Sequence, residues 1–401
     1  MADFFKLENE IKHYAWGSQT WIPALLGIKN PQKEPYAELW MGTHPGGPSK
    51  TTMPGEDRAV LLSEITGLPF LFKYLAAGSP LSIQAHPNLA QAKEGFEREN
   101  NAGVPLTAPN RNYQDPNHKP EIICALSPFT AMAGFREAAE TEQLLSKVDG
   151  TENLRSALKE GYQAFLTRLF GLNAEEKKAL SDAVLCAANL IPKNPVKKDQ
   201  SPISVCGELA QIYPCDPGII APLYLNVIYL KPLEALYLPA GILHAYIDGF
   251  AMECMANSDN VLRGGLTPKH IDVQELLSIL SFDPYAPAKL KTVPMSSPGC
   301  YRFEAPCSDF SFLLIQNPVS SLDPALPGGQ ELEVPEMGIF TVYNGTAELF
   351  IHQSGDQNSG KADRKKIVLK KGESAFITRR EEGESLHLYG DFTLFAALAP
   401  L

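Results

Sequence analysis

Residues 80–88 read PLSIQAHPN, and a glutamine and a histidine stand two positions apart in a strand-like alternation. Leu81, Ile83 and Ala85 fall on one face, and Ser82, Gln84 and His86 on the other. A strand that gives one whole face to hydroxyl, amide and imidazole must meet something polar there. Two further segments offer matching donors. In HKPEIICAL, Lys119 and Glu121 share a face, and Pro120 holds the lysine's backbone extended. His244 follows LPAG, a turn that ends one strand and opens the next. Two neutral imidazoles, a carboxylate and an amide oxygen suit Zn²⁺ with room for water or substrate, and other divalent ions can use the same set. Taken singly, such residues are more often hydrogen-bonded in a core or rim. Three separate segments, each beside Pro or Gly turns, make the four a candidate metal site.

Cations form the second group. SDNVLRGGLTPKH (258–270) carries Asp259, Arg263 and Lys269 on a Gly-interrupted loop. Surface turns often hold such charges, but Gly264 and Gly265 let backbone approach a ligand, and the loop follows His244 closely. Lys119 beside Glu121 is the other unusual cation: on an inward face near a metal its pKa is expected to fall, which makes a lysine a usable base. Trp16 in HYAWGS is the aromatic retained as a pocket residue.

The elements that must position these residues follow from texture. The 401-residue chain is long enough for two or three domains. Residues 11–135 are rich in Pro, Gly and short apolar alternations, which predicts an antiparallel all-β unit. From Arg136 the spacing becomes helical, and Asn173 with Glu176 reads as a helix N-cap and its reciprocal partner. β texture resumes at PLYLNVIYL. The expected division is residues 1–135 with 223–299 as a catalytic β domain, 136–222 as a helical insertion, and 300–401 as a C-terminal β-sandwich. A weak echo links IYLKPLEALYL (228–238) to IVLKKGESAFI (367–377), with Gly383 at the position equivalent to His244. It suggests two similar sandwiches, one without the ligand.

Composition excludes several roles. A formal net charge of −11 disfavours a nucleic-acid partner yet allows a local cationic cluster for a phosphorylated small molecule. The longest apolar run, around Pro69–Leu75, is broken by Lys73, so no membrane span is expected. The N-terminus does not read as a secretory signal. Seven scattered cysteines without a C-x-x-C fit reduced thiols in the cytoplasm.

Seven ordered segments resemble the type I mannose-6-phosphate isomerase family: YAWG (14–17), YAELWMGTHPGGPS (36–49), PFLFKYL (69–75), LSIQAHP (81–87), HKPE (118–121), LPAGILHAY (238–246) and ECMANSDNVLRGGLTPKH (253–270). The C-terminal third matches in texture only. The resemblance implies a mainly β fold of cupin-like paired jelly rolls with an inserted α-helical domain. It implies one Zn²⁺ held by Gln84, His86, Glu121 and His244, and interconversion of mannose 6-phosphate and fructose 6-phosphate. The family's active-site arginine falls on Arg263, and Lys119, Lys269, Ser82 and Glu253 match pocket positions. An aldose–ketose exchange must open the sugar, move the C2 proton to C1 through a cis-enediol, and stabilise the charge that develops. Lys119 is the expected base, with Glu253 and a zinc-bound water its rivals, and Asp259 the expected aid to ring opening. Arg263 is expected on the enediolate or the phosphate, with Ser82, Lys73 and Lys269 seating the phosphate. A monomer is expected. The competing expectations are a non-catalytic sugar-phosphate-binding cupin and a cupin-type metal oxygenase, which an amide ligand suits less well.

Overall fold

The computed structural model describes residues 2–53, 58–192, 201–317, 330–332, 336–353, 365–381 and 383–400. Two ten-stranded sheets dominate, with a two-stranded ribbon beside them. The first sheet is organised by one long strand, His244–Ala256. Its first residues pair with Phe129–Phe135 and Gln84–Ala85, with His244 opposite Gln84. The pairing register then shifts between Tyr246 and Asp248. Beyond Gly249, at φ 125, the strand pairs with Phe70–Ala77 and Glu121–Ala125 instead. Only glycine fits that corner, since a Cβ there would meet Phe129 Cδ2 at 2.6 Å and Pro128 O at 2.8 Å. One strand thereby brings His244 and Glu253 into a single interior, among neighbours that carry Gln84, Lys73 and Glu121.

Phe70–Ala77 is buried along its whole length. Phe70, Phe72 and Tyr74 face a core shared with Phe310, Phe312, Phe376 and Phe395 of the C-terminal region, whereas Leu75 and Ala77 join the interior cluster of the first unit. Alternation therefore puts Lys73 inside, between Leu71 and Leu75.

The strand-like stretch that carries Gln84 is short: only Gln84–Ala85 is paired, against His244 and Leu262–Arg263. Its apolar face nonetheless behaves as expected. Ile83 and Ala85 are fully buried in the core formed by the helices, with Phe165, Leu166, Leu209 and Leu243. Those helices include Ala138–Leu145, Glu152–Leu158, Tyr162–Phe170, Ala174–Asn189 and Pro202–Ile212. Asn173 caps its helix reciprocally with Glu176, at 3.0 and 2.9 Å.

Three features depart from the sequence reading. Leu89–Asn101 is a helix inside the stretch read as all β, capped by Asn88 and Gln91. Phe4–Lys6 pairs with Ser374–Ile377, so the first strand lies in the C-terminal sheet. Thr292–Pro294 pairs with Cys300–Phe303 and joins that sheet too. Edge pairing between distant segments, which composition does not report, decides the first membership, and a local hairpin decides the second. Among the described residues no helix is long and apolar enough to cross a membrane.

The internal echo is realised in a turn. Lys231 N–H donates to Glu234 Oε2 at 2.8 Å, and Lys370 N–H donates to Glu373 Oε2 at 2.9 Å. The third residue of each turn, Leu233 or Gly372, sits at positive φ, 71° and 80°.

Candidate functional site

A cavity of about 560 Å³ opens inside the first unit. Trp16, Lys73, Ser82, Gln84, Lys119, Glu121, Glu253, Asp259, Arg263 and Lys269 all line it, although they come from segments spread over more than half the chain. His86 and His244, both 1% exposed, stand against Glu121.

Glu121 is the centre of the donor cluster. Its Oε1 lies 3.2 Å from His86 Nε2, and its Oε2 lies 3.4 Å from His244 Nε2. Each imidazole is oriented from behind by backbone: His86 Nδ1 donates to Asn260 O at 2.7 Å, and His244 Nδ1 to Ile242 O at 2.8 Å. With Nδ1 carrying the proton, both Nε2 lone pairs point at a carboxylate that also only accepts. His86 Nε2 is fully buried and has no hydrogen-bond donor. Two imidazole lone pairs and a carboxylate converging without a proton between them call for a cation. The three ligand atoms lie within 4.8 Å of one another. Gln84 completes the set: its amide Nε2 lies 3.5 Å from His244 Nε2, and turning the amide end for end places its oxygen there.

Electrostatics agree with this donor set. Burial, reinforced by the Lys119 ammonium, pushes the His86 imidazole down to about 4, so it is neutral at physiological pH. Burial opposes the charge on Glu121, yet the Lys119 ammonium beside it holds its carboxyl well below the usual range. Lys119 Nζ is 3.1 Å from Glu121 Oε1.

The low His86 value has a consequence for the metal-free protein. Its folded pKa lies below the ordinary 6.5, so between these two values the unfolded chain binds a proton that the native state refuses. Stability is thus full above pH 6.5 and falls as pH drops toward 4, by on the order of 3 kcal/mol from this residue. Urea unfolding of apo-protein at pH 7 and 4.5 measures the loss, and His86→Gln should remove that part of the slope.

Lys73, expected on the phosphate, lines the cavity with its charge already paired: Nζ lies 2.9 Å from Glu38 Oε1 and 2.5 Å from Glu253 Oε2, and all three side chains are buried. Burial opposes its charge, but Glu253 and Glu38 hold its pKa above the ordinary value. Burial likewise pushes the Glu253 carboxyl up, against the pull of Lys73. Lys73→Met would strand two buried carboxylates and should cost about 3 kcal/mol or more, read as a lowered midpoint in chemical denaturation.

The free cations are elsewhere. Among the described residues neither Arg263 nor Lys269 has a carboxylate partner, and burial lowers the pKa of both, with Arg263 adding to the effect on Lys269. Asp259 is mostly exposed, with Oδ1 3.5 Å from His44 Nε2.

Sequence reasoning missed Glu38 and Tyr246. Tyr246 OH donates to Glu253 Oε1 at 2.9 Å and lies 3.3 Å from Glu121 Oε2. Trp40 Nε1 donates to Glu38 Oε2 at 2.8 Å. Both left a signal: Tyr246 is two residues after His244, on the same strand face, and Glu38 interrupts the otherwise apolar strand ELWMG.

A family model described as "Phosphomannose isomerase type I, catalytic domain" matches residues 4–138. The mannose-6-phosphate isomerase of Salmonella typhimurium is 39% identical over 393 residues, covering 93% of this chain and 94% of that protein. The chain belongs to the mannose-6-phosphate isomerase family. The Escherichia coli mannose-6-phosphate isomerase is 37% identical, with 96% and 97% of the two chains covered. A crystal structure of the Salmonella typhimurium mannose 6-phosphate isomerase, bound to fructose 6-phosphate and zinc, superposes with a TM-score of 0.83. That match is 35% identical and spans 100% of both chains. This family likeness gives the fold its class: mainly β, cupin-like, with helices added.

Proposed function

We propose that the chain is a zinc-dependent aldose–ketose isomerase interconverting D-mannose 6-phosphate and D-fructose 6-phosphate. The observation that carries the reading is a juxtaposition: a buried His–Glu–His donor cluster opens on the same cavity as two cations without carboxylate partners. The family supports it, since its members carry that activity in their names. Neither the non-catalytic binding reading nor the oxygenase reading is favoured.

Gln84, His86, Glu121 and His244 would hold one Zn²⁺. Bound there, the ion would supply Lewis acidity for the oxygens of the reacting end of the sugar. Everything else falls to side chains. Acting as the free amine, Lys119 Nζ, in the cavity beside Glu121, takes the C2 proton. The C–H electron pair becomes the C1=C2 bond as the C1 carbonyl pair moves to O1, which takes up a proton to give the cis-enediol. The C2 proton returns at C1 as O2 loses its own proton and becomes the carbonyl oxygen. The sugar's composition is unchanged, so no oxidant is needed. Asp259 assists ring opening from the rim. Arg263, Lys269 and Ser82 receive the phosphate, the first two because they have charge to spare. Lys73 neutralises Glu253 and Glu38 rather than touching phosphate. Trp16 walls the pocket.

The proposed compartment is the cytoplasm, supported by seven cysteines, all among the described residues, that form no disulfide. The proposed working unit is a single chain. The zinc-loaded protein, given mannose 6-phosphate in deuterated water, should form fructose 6-phosphate that carries solvent deuterium at C1. A chain that binds zinc and yields no fructose 6-phosphate overturns the reading.

A further inference from the structure

The helical insertion returns to the β structure through residues 213–218, and this turn is tied to two segments that line the cavity. Asp216 makes the first tie. Its Oδ1 accepts from Gly218 N–H at 2.7 Å and Leu266 N–H at 2.9 Å, and its Oδ2 from Thr267 N–H at 3.2 Å. The bond to Gly218 starts the short 3₁₀ turn Pro217–Ile220 and is local. The other two reach about fifty residues away, to the loop between Arg263 and Lys269.

That loop needs holding. Gly265 and Leu266 lie at φ 127° and 53°, and leucine does not keep a left-handed backbone without support. The approach is also too close for side chains. A Cβ on Gly265 would come within 2.8 Å of Gly218 Cα, and one on Gly218 within 2.9 Å of Leu266 N and of Ile83 Cδ1. Behind the loop, Ile83 N–H donates to Gly265 O at 3.0 Å and Gly264 N–H to Ile83 O at 2.7 Å. A shift of the loop therefore reaches Ser82 and Gln84. Tyr213 OH donates to Pro80 O at 2.8 Å, two residues from Ser82. Tyr213, Leu266 and Thr267 themselves line the cavity.

We infer that Asp216 is a positioning residue for the reaction: by fixing Leu266 and Thr267 it sets where Arg263 and Lys269 meet the phosphate of the substrate. Tyr213 holds the adjoining segment at Pro80. The inference rests on the isomerase reading above and gives the helical insertion a task in substrate binding, beyond packing on Ile83 and Ala85.

The test uses the full zinc-loaded chain. Asp216→Ala should raise KM for mannose 6-phosphate roughly 10-fold or more, because small displacements of a binding group are costly, while kcat falls less. Affinity for inorganic phosphate, measured by calorimetry, should weaken in parallel. Asp216→Asn keeps one acceptor oxygen and should fall between wild type and alanine. If alanine prevents folding, Asp216→Asn and Tyr213→Phe decide, each expected to raise KM a few-fold in a folded protein. Variants that lose thermal stability but keep wild-type KM and phosphate affinity overturn the inference and leave Asp216 a structural cap. Wild-type protein that binds phosphate but does not isomerise overturns the isomerase reading instead, and the phosphate affinities of the variants still judge Asp216.

Discussion

Stripping the metal with a chelator is expected to abolish isomerisation while the chain stays folded. The donor cluster is small beside the cores around it. One core packs Phe70, Phe72 and Tyr74 on Phe312 and Phe395, and another packs Ile83 and Ala85 on the helices. Cores of this extent need no metal staple. Removing the ion leaves the buried His86 Nε2 and Glu121 facing each other with no proton between them. The apo-protein should therefore unfold cooperatively at a somewhat lower temperature, and zinc should raise that temperature by mass action. Circular dichroism and a coupled assay on the same chelated sample test both halves. Zinc should restore the rate in proportion to occupancy. Apo-protein that has lost its β signal would make the site structural, and restoration by another divalent ion but not by zinc would correct the metal.

How much of this was legible before the fold was known differs residue by residue. The polar face that carries Gln84 and His86 was legible because strand periodicity is local: Ser82, Gln84 and His86 alternate with residues that needed an apolar partner, and the helices supply it. The capping pair Asn173 and Glu176 was legible for the same reason, and the matching signal at Asn88 and Gln91 was there to be read. The pairing of Lys73 was not legible, because whether a cation is spare depends on who stands beside it. Its partners Glu38 and Glu253 are 35 and 180 residues away in sequence, and only the pairing of Phe70–Ala77 with Glu38–Gly42 and His244–Ala256 brings them together. Sheet membership of Phe4–Lys6 is of the same kind. Periodicity states which face is polar; long-range register decides what that face meets.

Replacing Lys119 by alanine should cut kcat by roughly 10²–10⁴, the usual contribution of a positioned general base, while zinc remains stoichiometric. The residue lies on the cavity beside the donor cluster. It is 8% exposed, lines the cavity, and holds its Nζ 3.1 Å from Glu121, so it is beside the metal ligands without being one of them. Removing a basic side chain beside Glu121 changes the charge around the donor cluster, so the assay belongs at saturating zinc. Two readouts separate proton transfer from charge. Solvent exchange of the C2 proton should fall in step with kcat if Lys119 moves that proton. Lys119→Arg, which restores the charge but cannot give up its proton, should stay as slow as alanine. Arginine that recovers the rate would reduce Lys119 to an electrostatic role. Exchange that persists at the wild-type rate in the alanine variant would move the base to Glu253, whose carboxyl burial already pushes up and whose oxygens are held in place by Tyr246 and Lys73.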